Sequence, residues 1–134
     1  MTRYSYNLQL ADFDHKQVDD RGVTAPRDIV SAFDAFDWPG QIEEANRLQN
    51  ISPTFSVLDN ESDRLLWLSG VGEPSEYYFI IGYSYQGEIS SMFGFKRTRG
   101  TINAPTKDLS LDDARRAVEL FVDGDHDRLY QHVT

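Results

Sequence analysis

The sequence contains no cysteine among its 134 residues. The absence of thiols excludes disulfide bonds, zinc sites built on thiolates and cysteine nucleophiles. It also fits a reducing compartment, and we expect the protein to be cytoplasmic. The first residues alternate in polarity instead of forming the apolar core of a signal peptide, and no apolar run reaches membrane-spanning length. The sequence therefore predicts no association with a membrane.

Histidine is scarce as well, and the common catalytic and metal-binding motifs are incomplete. The three histidines, all in segments expected to be exposed, follow no metal-ligand spacing: His15, His126 and His132. The segment from Asp123 to Asp127 begins like a calcium loop, but Arg128 stands where the turn glycine belongs. Glycine loops for nucleotides and motifs for serine nucleophiles are missing. We therefore predict no catalytic residue, no metal and no cofactor.

Basic residues are outnumbered by acidic ones. Thirteen Lys and Arg against 22 Asp and Glu give a net charge of −9. Such a charge repels nucleic-acid backbones and favours a basic protein partner, although it can also serve solubility alone. With 40% hydrophobic and 13% aromatic residues, the chain is too apolar for disorder. Its length predicts a single domain, residues 1–134.

Short apolar runs separated by turn residues predict the strands. The residues from Tyr4 to Leu10 alternate in polarity, and four further runs follow at Ser52–Leu58, Arg64–Gly70, Tyr77–Tyr85 and Ser91–Arg97. We expect an antiparallel meander sheet of about five strands. Two of the runs are continuously apolar, which is typical of strands covered on both faces. Either helices cover both faces, or one face contacts another molecule.

Three segments show helical spacing. Thr24 is expected to cap an N-terminal helix that stops near Trp38, and a short second helix is expected at Gln41–Gln49. Ser110 caps a C-terminal helix, for which Gly124 supplies the stop. The remaining segments are interpreted as a loop at Asp12–Gly22, a break at Gln86–Glu88 and an extended connection at Thr98–Leu109. Helices packed on a meander predict an α+β fold.

The order of these elements, together with three short motifs, resembles a known family. The motifs are Ser52–Val57 (SPTFSV), Leu66–Gly72 (LWLSGVG) and Tyr78–Tyr83 (YFIIGY). They resemble the immunity protein 1 family of bacterial polymorphic-toxin systems, over about Asp28–Val122. The resemblance implies a small acidic antidote that binds and blocks a cognate toxin, such as one acting on nucleic acid, and it implies no catalytic residues.

Under this hypothesis, the partner is a basic protein toxin and the contact residues are exposed acids. Opposite charge would steer the association and raise its rate. The candidates lie in the first acidic loop, the turn after the run that ends at Leu58 and the turn before the run that starts at Tyr77: Asp12, Asp14, Asp19, Asp20, Asp59, Glu61, Asp63, Glu73 and Glu76. The strand aromatics are mainly expected in the core, with a partner platform as the alternative: Trp67, Tyr77, Tyr78, Tyr83, Tyr85, Phe93 and Phe95.

Two other interpretations stay open at this point. One is a small metabolite-binding or enzymatic α+β domain with a pocket between the sheet and the N-terminal helix, because the aromatic run from Tyr77 to Tyr85 offers more ring surface than a short strand needs. The other is a homodimer formed through an edge strand. The sequence does not decide between a monomer and a homodimer.

Overall fold

The computed structural model describes residues 3–91 and 96–134, apart from the side chains of residues 89–98. Within these residues, the chain forms six antiparallel strands and four helices. The strands are β1 (Tyr4–Gln9), β2 (Asp19–Val23), β3 (Thr54–Asp59), β4 (Arg64–Glu73), β5 (Glu76–Ser91) and β6 (Lys96–Asn103). The helices are α1 (Pro26–Ala35), α2 (Trp38–Leu48), α3 (Leu111–Val122) and α4 (His126–Val133). The α+β prediction is confirmed, with one more strand and one more helix than expected.

The strands form one sheet in the order β2-β1-β3-β4-β5-β6. The strands from β3 to β6 follow one another as the predicted meander, and β1 lies beside β3, with Gln9 opposite Thr54. In the described part of the chain, no helix has both the length and the apolar character needed to cross a bilayer.

The strand β2 lies where the sequence predicted a loop. It pairs with β1 across an irregular register between Tyr6 and Asn7, and Gly22 in β2 has a φ of 71°. Its residues Asp19 and Asp20 are poor strand formers, so their pairing with β1 is imposed by tertiary structure. The two edge strands β2 and β6 both carry charged residues, which oppose the edge pairing that a homodimer through strands would need.

The break predicted at Gln86–Glu88 is wrong. β5 continues to Ser91 and pairs with β6, which occupies part of the predicted connection. Because β4 is paired with β5 only as far as Ser84, β5 and β6 continue beyond it as a two-stranded arm. The strand predicted at 91–97 and the side chains of Phe93 and Phe95 fall largely outside the described residues.

The two N-terminal helices begin differently from the prediction. The N-cap of α1 is Ala25, because the Thr24 hydroxyl donates to the Gly22 carbonyl (3.0 Å) instead of capping the helix. Helix α2 starts at Trp38, and Pro39 fits in its first turn, where no amide donor is needed. The Asp37 carboxylate accepts a bond from the first-turn amide of Gly40 (3.1 Å).

The C-terminal helices extend the predicted pattern. The Ser110 hydroxyl accepts a bond from the Asp113 amide (3.2 Å), which confirms the predicted cap of α3. Gly124 follows the helix with a φ of 74°, as expected for a left-handed stop. The tail then forms α4, which buries Leu129 and Val133 in the core.

All four helices pack on the same face of the sheet. Phe33 of α1 contacts Phe55 and Phe79 of the sheet, with ring centroids 5.4 and 5.8 Å apart. Phe121 of α3 contacts Tyr83 in the same layer. Because side chains alternate along a strand, every second residue of β3, β4 and β5 is buried in this core. The alternative that helices cover both faces of the apolar strands is therefore wrong.

Candidate binding surface

The face of the sheet opposite the helices, here called the open face, carries apolar side chains at its centre. The register places Trp67 opposite Gly82 and Ser56, and Leu65 opposite Leu58. The remaining open-face residues of β4 and β5 are Ser69, Val71, Tyr78, Ile80 and Ser84. Tyr78 and Ile80 expose 44% and 42% of their surface. The open face therefore presents a contiguous apolar strip along β4 and β5.

Trp67 is held flat at the centre of this strip. Gly82 has no side chain, and the indole ring of Trp67 lies directly over its Cα, in the space that a Cβ would fill. One row along, the hydroxyls of Thr54 and Ser69 share a hydrogen bond of 2.7 Å. The indole is thus a partly exposed aromatic surface at the centre of the apolar strip.

The charge on the open face is acidic. By alternation, Glu73 and Glu76 stand on it at the β4–β5 turn, directly opposite each other, and Asp20 stands on it at the edge strand β2. Among the open-face positions of β1 to β5 whose side chains are described, none is Lys or Arg. In β6, Arg99 stands on the same face opposite Glu88, away from the centre of the strip. Apolar residues with an acidic border are therefore what this face offers to a partner.

The structure divides the predicted acidic contact residues between the two ends of the sheet. Gln9 pairs with Thr54 and Thr54 with Ser69, so the loop after β1 and the β4–β5 turn lie at one end. This end carries Asp12, Asp14, Asp19, Glu73 and Glu76, whereas Glu61 and Asp63 lie at the other end, in the β3–β4 turn. Asp19 forms an ion pair with Arg21 (2.9 Å). Its side chain lies on the helix side of β2.

Asp59 does not belong to the surface at all, so its expected exposure is wrong. It is 1% exposed, and Arg3 grips its carboxylate through Nε (3.2 Å) and Nη2 (3.0 Å). The Ser62 hydroxyl and the Glu61 amide donate to the same carboxylate (2.8 and 3.1 Å). Burial alone would raise the pKa of Asp59, but these bonds outweigh burial and lower its pKa. Asp59 is a structural residue.

The strand aromatics divide between the two faces. Tyr83 is buried beside Tyr85 on the helix side, and Tyr77 packs against Phe79 of the core. Trp67 and Tyr78 face outward instead. The continuous apolar runs in β4 and β5 indicated that some aromatic residues face outward, as Trp67 and Tyr78 do. The sequence of these runs alone does not tell which residues face the helices.

A second group of polar side chains, which the sequence did not predict, lies on the helix side beneath α4. Arg64 donates from Nη1 to the Tyr83 hydroxyl (2.6 Å), and its guanidinium lies 5.6 Å from the ring centroid of Tyr85. His126 is partly buried here, contrary to its expected exposure, and burial followed by the charge of Arg64 lowers its pKa. Among the described residues, no three His, Asp or Glu side chains converge as a metal ion would require.

Comparisons with models of protein families, with curated proteins and with solved structures returned no match. The class of the molecule is therefore defined by the fold and the surface. It is an α+β protein with helices on one face of an antiparallel sheet and an acid-bordered apolar strip on the other.

The pocket expected between the sheet and the N-terminal helix corresponds to an open groove, and its use as a ligand site stays a prediction. Ile29 and Phe33 of α1 are buried against the described sheet residues and fill that layer. What lies beside α1 is an open groove of about 390 Å³ along β1, lined by Tyr6, Leu8 and Phe36 among others.

Proposed function

We propose that this protein is a binding protein whose open face docks on a basic protein and blocks it. The observation that carries the proposal is the position of Trp67 and Ile80, at the centre of a sheet face that no described helix covers. In a protein of 134 residues, exposing an aromatic and aliphatic strip on a central strand has a cost in solubility, and such patches mark interaction sites.

The composition of the open face suits a protein interface. Trp and Tyr near the centre of an interface provide most of its binding energy, and a polar border excludes water from them. Trp67 and Tyr78 are the candidate anchors. The indole of Trp67 already packs over Gly82, which reduces the side-chain entropy that it would lose when a partner covers it.

The charges support a basic partner. Glu73, Glu76 and Asp20 stand on the open face, and the whole chain has a net charge of −9. A negative field of this kind attracts a positively charged cleft and raises the association rate at low ionic strength. It also disfavours direct binding of nucleic acid.

The resemblance to the immunity protein 1 family supports a cognate bacterial toxin as that partner, such as one that acts on nucleic acid. An enzyme of that kind needs a basic cleft for its substrate, and an acidic surface can occupy such a cleft. In this proposal the protein has no reaction of its own and acts in the cytoplasm of the producing cell.

The test is co-purification with the product of the adjacent gene, followed by calorimetry with both purified proteins. We expect a one-to-one complex that weakens at least about ten-fold when Trp67→Ala or Ile80→Asp is introduced, since central anchors are worth about 2 kcal/mol or more. Leu111→Asp is the matched control, because Leu111 is 40% exposed on the helix side. Equal loss of affinity in all three variants, or no binding by the unaltered protein, would contradict the proposal.

A variant with altered charge tests whether the acidic residues of the open face steer the partner toward it. Replacing Glu73 and Glu76 with lysine should lower the association rate several-fold to about ten-fold at low salt and less at high salt. The control replaces Glu43 and Asp112, which are exposed on the helices, and changes the net charge equally. If both double variants slow association to the same extent, the net charge of the protein sets the association rate. Steering by the acidic residues of the open face would then be contradicted.

A further inference from the structure

A recess lies at the end of the sheet beneath α4, on the side away from the open face. Its cavity has a volume of about 310 Å³. The lining residues define what is here called the Arg64 pocket: Arg64, Tyr83, Tyr85, His126, Asp127 and Tyr130. The volume is at the lower limit of ligand-binding cavities, so the pocket suits a small molecule.

Alternation along β4 directs Arg64 into this pocket. Arg64 precedes Leu66 and Leu68 on the face that packs against the helices, so its guanidinium lies in the helix layer at the end of the core. The guanidinium donates to the Tyr83 hydroxyl and lies near the ring of Tyr85. These contacts fix its position but use one of its five donors.

Arg64 also differs from most arginines of this protein. Arg3, Arg21, Arg47 and Arg115 each pair with a carboxylate within 4.0 Å, and so does Arg128. Among the described residues, no carboxylate lies within that distance of Arg64. A partly buried guanidinium that has its position fixed and keeps free donors is prepared to receive an anion from outside.

His126 adds a second unmatched polar group to the same wall. Its Nδ1 atom is buried and has no hydrogen-bond partner among the described residues. The ring stands edge-on to Phe121, with centroids 6.3 Å apart, and burial favours its neutral form. A neutral imidazole can donate to or accept from a ligand without adding charge to the pocket.

The other walls are aromatic. Tyr85 lies 5.7 Å from Tyr83 and 6.5 Å from Tyr130, measured between ring centroids. Rings in tilted and edge-on arrangement provide flat apolar surfaces on which a planar ligand can stack. Asp127 contributes a negative charge to the lining, which disfavours a ligand with two negative charges.

We propose that the Arg64 pocket binds a small aromatic monocarboxylate, with the carboxylate on the Arg64 guanidinium and the ring packed against the side chains of Tyr85 and Tyr130. The guanidinium fork matches a carboxylate in geometry, the tyrosines match a ring, and Asp127 selects a single negative charge. This site is independent of the proposed docking of a protein on the open face.

The experiment titrates the full chain with benzoate, acetate and inorganic phosphate, followed by two-dimensional NMR of the backbone amides and by calorimetry. Benzoate should saturate, with shifts centred on Arg64, Tyr85 and His126. Acetate lacks the ring, and at about pH 8 phosphate is largely a dianion, so both should bind at least about ten-fold more weakly at that pH. If benzoate does not saturate, or if phosphate binds as tightly, the proposal is overturned.

Variants locate the binding within the pocket. Arg64→Gln should weaken benzoate at least about ten-fold, whereas Arg27→Gln on the exposed side of α1 should leave it unchanged. Because Arg64→Gln could disturb folding, Tyr130→Ala gives a second test. Tyr130 is 38% exposed, so its replacement should preserve the thermal unfolding temperature while weakening benzoate several-fold. Unchanged benzoate affinity in Tyr130→Ala would show that the benzoate ring does not contact Tyr130, and it would overturn the assignment.

Discussion

The indole of Trp67 lies over Gly82, and the two residues face each other across β4 and β5. A second glycine of the sheet, Gly70, lies under another indole on the opposite face. A Cβ at Gly70 would approach Cε3 of Trp38 to 2.9 Å and Cδ1 of Ile42 to 3.2 Å. The same residue type thus makes room for a tryptophan on both faces.

These two glycines allow one substitution to be compared on two faces. Gly82→Ala should push Trp67 toward solvent at little cost in stability, because nothing described covers the open face. Gly70→Ala should lower the free energy of unfolding by about 1–3 kcal/mol, because Trp38 is 2% exposed and has no free space to move into. Chemical denaturation measures both changes.

The position of the indole is measured by fluorescence in a Trp38→Phe background, where Trp67 is the remaining tryptophan of the sequence. Gly82→Ala should shift its emission to longer wavelength, and Ser84→Ala on the same face should not. A Gly82→Ala variant that is less stable than Gly70→Ala would contradict this account of the two faces.

The ion pair between the partly exposed Arg3 and the buried Asp59 predicts a pH-dependent contribution to stability. Asp59→Asn should lower the free energy of unfolding by about 1.5–3 kcal/mol near neutral pH, since it removes charge-assisted bonds to a buried group. The pKa of Asp59 is lowered by folding. The stabilisation is therefore present above the ordinary pKa of 3.8 and is lost as the pH falls through the lower value in the folded state.

Urea unfolding at a series of pH values checks this prediction. The difference between the unaltered protein and Asp59→Asn should shrink as the solution is acidified below about pH 4. Glu61→Gln is the control, because Glu61 is an exposed second partner of Arg3 (3.4 Å) and should change stability by less than about 1 kcal/mol. A difference that stays constant down to the acid transition would assign the effect to packing.

Local signals in the sequence were sufficient for elements with their own pattern. The apolar stripe of α3 and the Ser110 cap lie within one segment, so they could be predicted without the fold. The edge strand β2 could not, because Asp19 and Asp20 become a strand through pairing with β1. The start of α2 at Trp38 was missed because Pro39 was interpreted as an end of α1 and not as a first-turn residue of the next helix.

The candidate site shows the same division. The apolar runs indicated that β4 and β5 could have a contact face, but the position of the helices decided which residues form it. The sequence predicts Asp59 in a turn and Arg64 at the start of the next strand, with no role for either in a buried layer. Alternation turns both side chains into the helix layer, where Arg3 and Tyr83 meet them from distant parts of the sequence. Contacts of that range leave no local signal.

The cap of α3 gives a prediction with a matched control. Ser110→Ala should lower the free energy of unfolding by about 1 kcal/mol, because the Asp113 amide loses its acceptor. Ser31→Ala in α1 should cost less than about 0.5 kcal/mol, since its hydroxyl donates to a carbonyl within the helix, that of Arg27, and alanine favours helix. Thermal unfolding of both variants measures the difference, and equal losses would contradict the role of the cap.

His126 predicts a second pH dependence, of opposite origin to that of Asp59. Burial, with a further contribution from Arg64, lowers the pKa of His126 below its ordinary value of 6.5. As the pH falls through 6.5, the unfolded chain takes up a proton that the folded protein resists, so the folded state loses stability. Between about pH 7.5 and 5.5, His126→Gln should therefore lose less stability than the unaltered protein.

The control for His126 is His15→Gln, in the exposed loop after β1. This replacement removes one imidazole from an exposed segment and leaves the layer around His126 unchanged. If His126→Gln and the unaltered protein show parallel stability curves, the imidazole is as accessible to protons in the folded state as in the unfolded chain. The lining of the Arg64 pocket would then be a solvated surface, and the buried Nδ1 atom could not serve a ligand there.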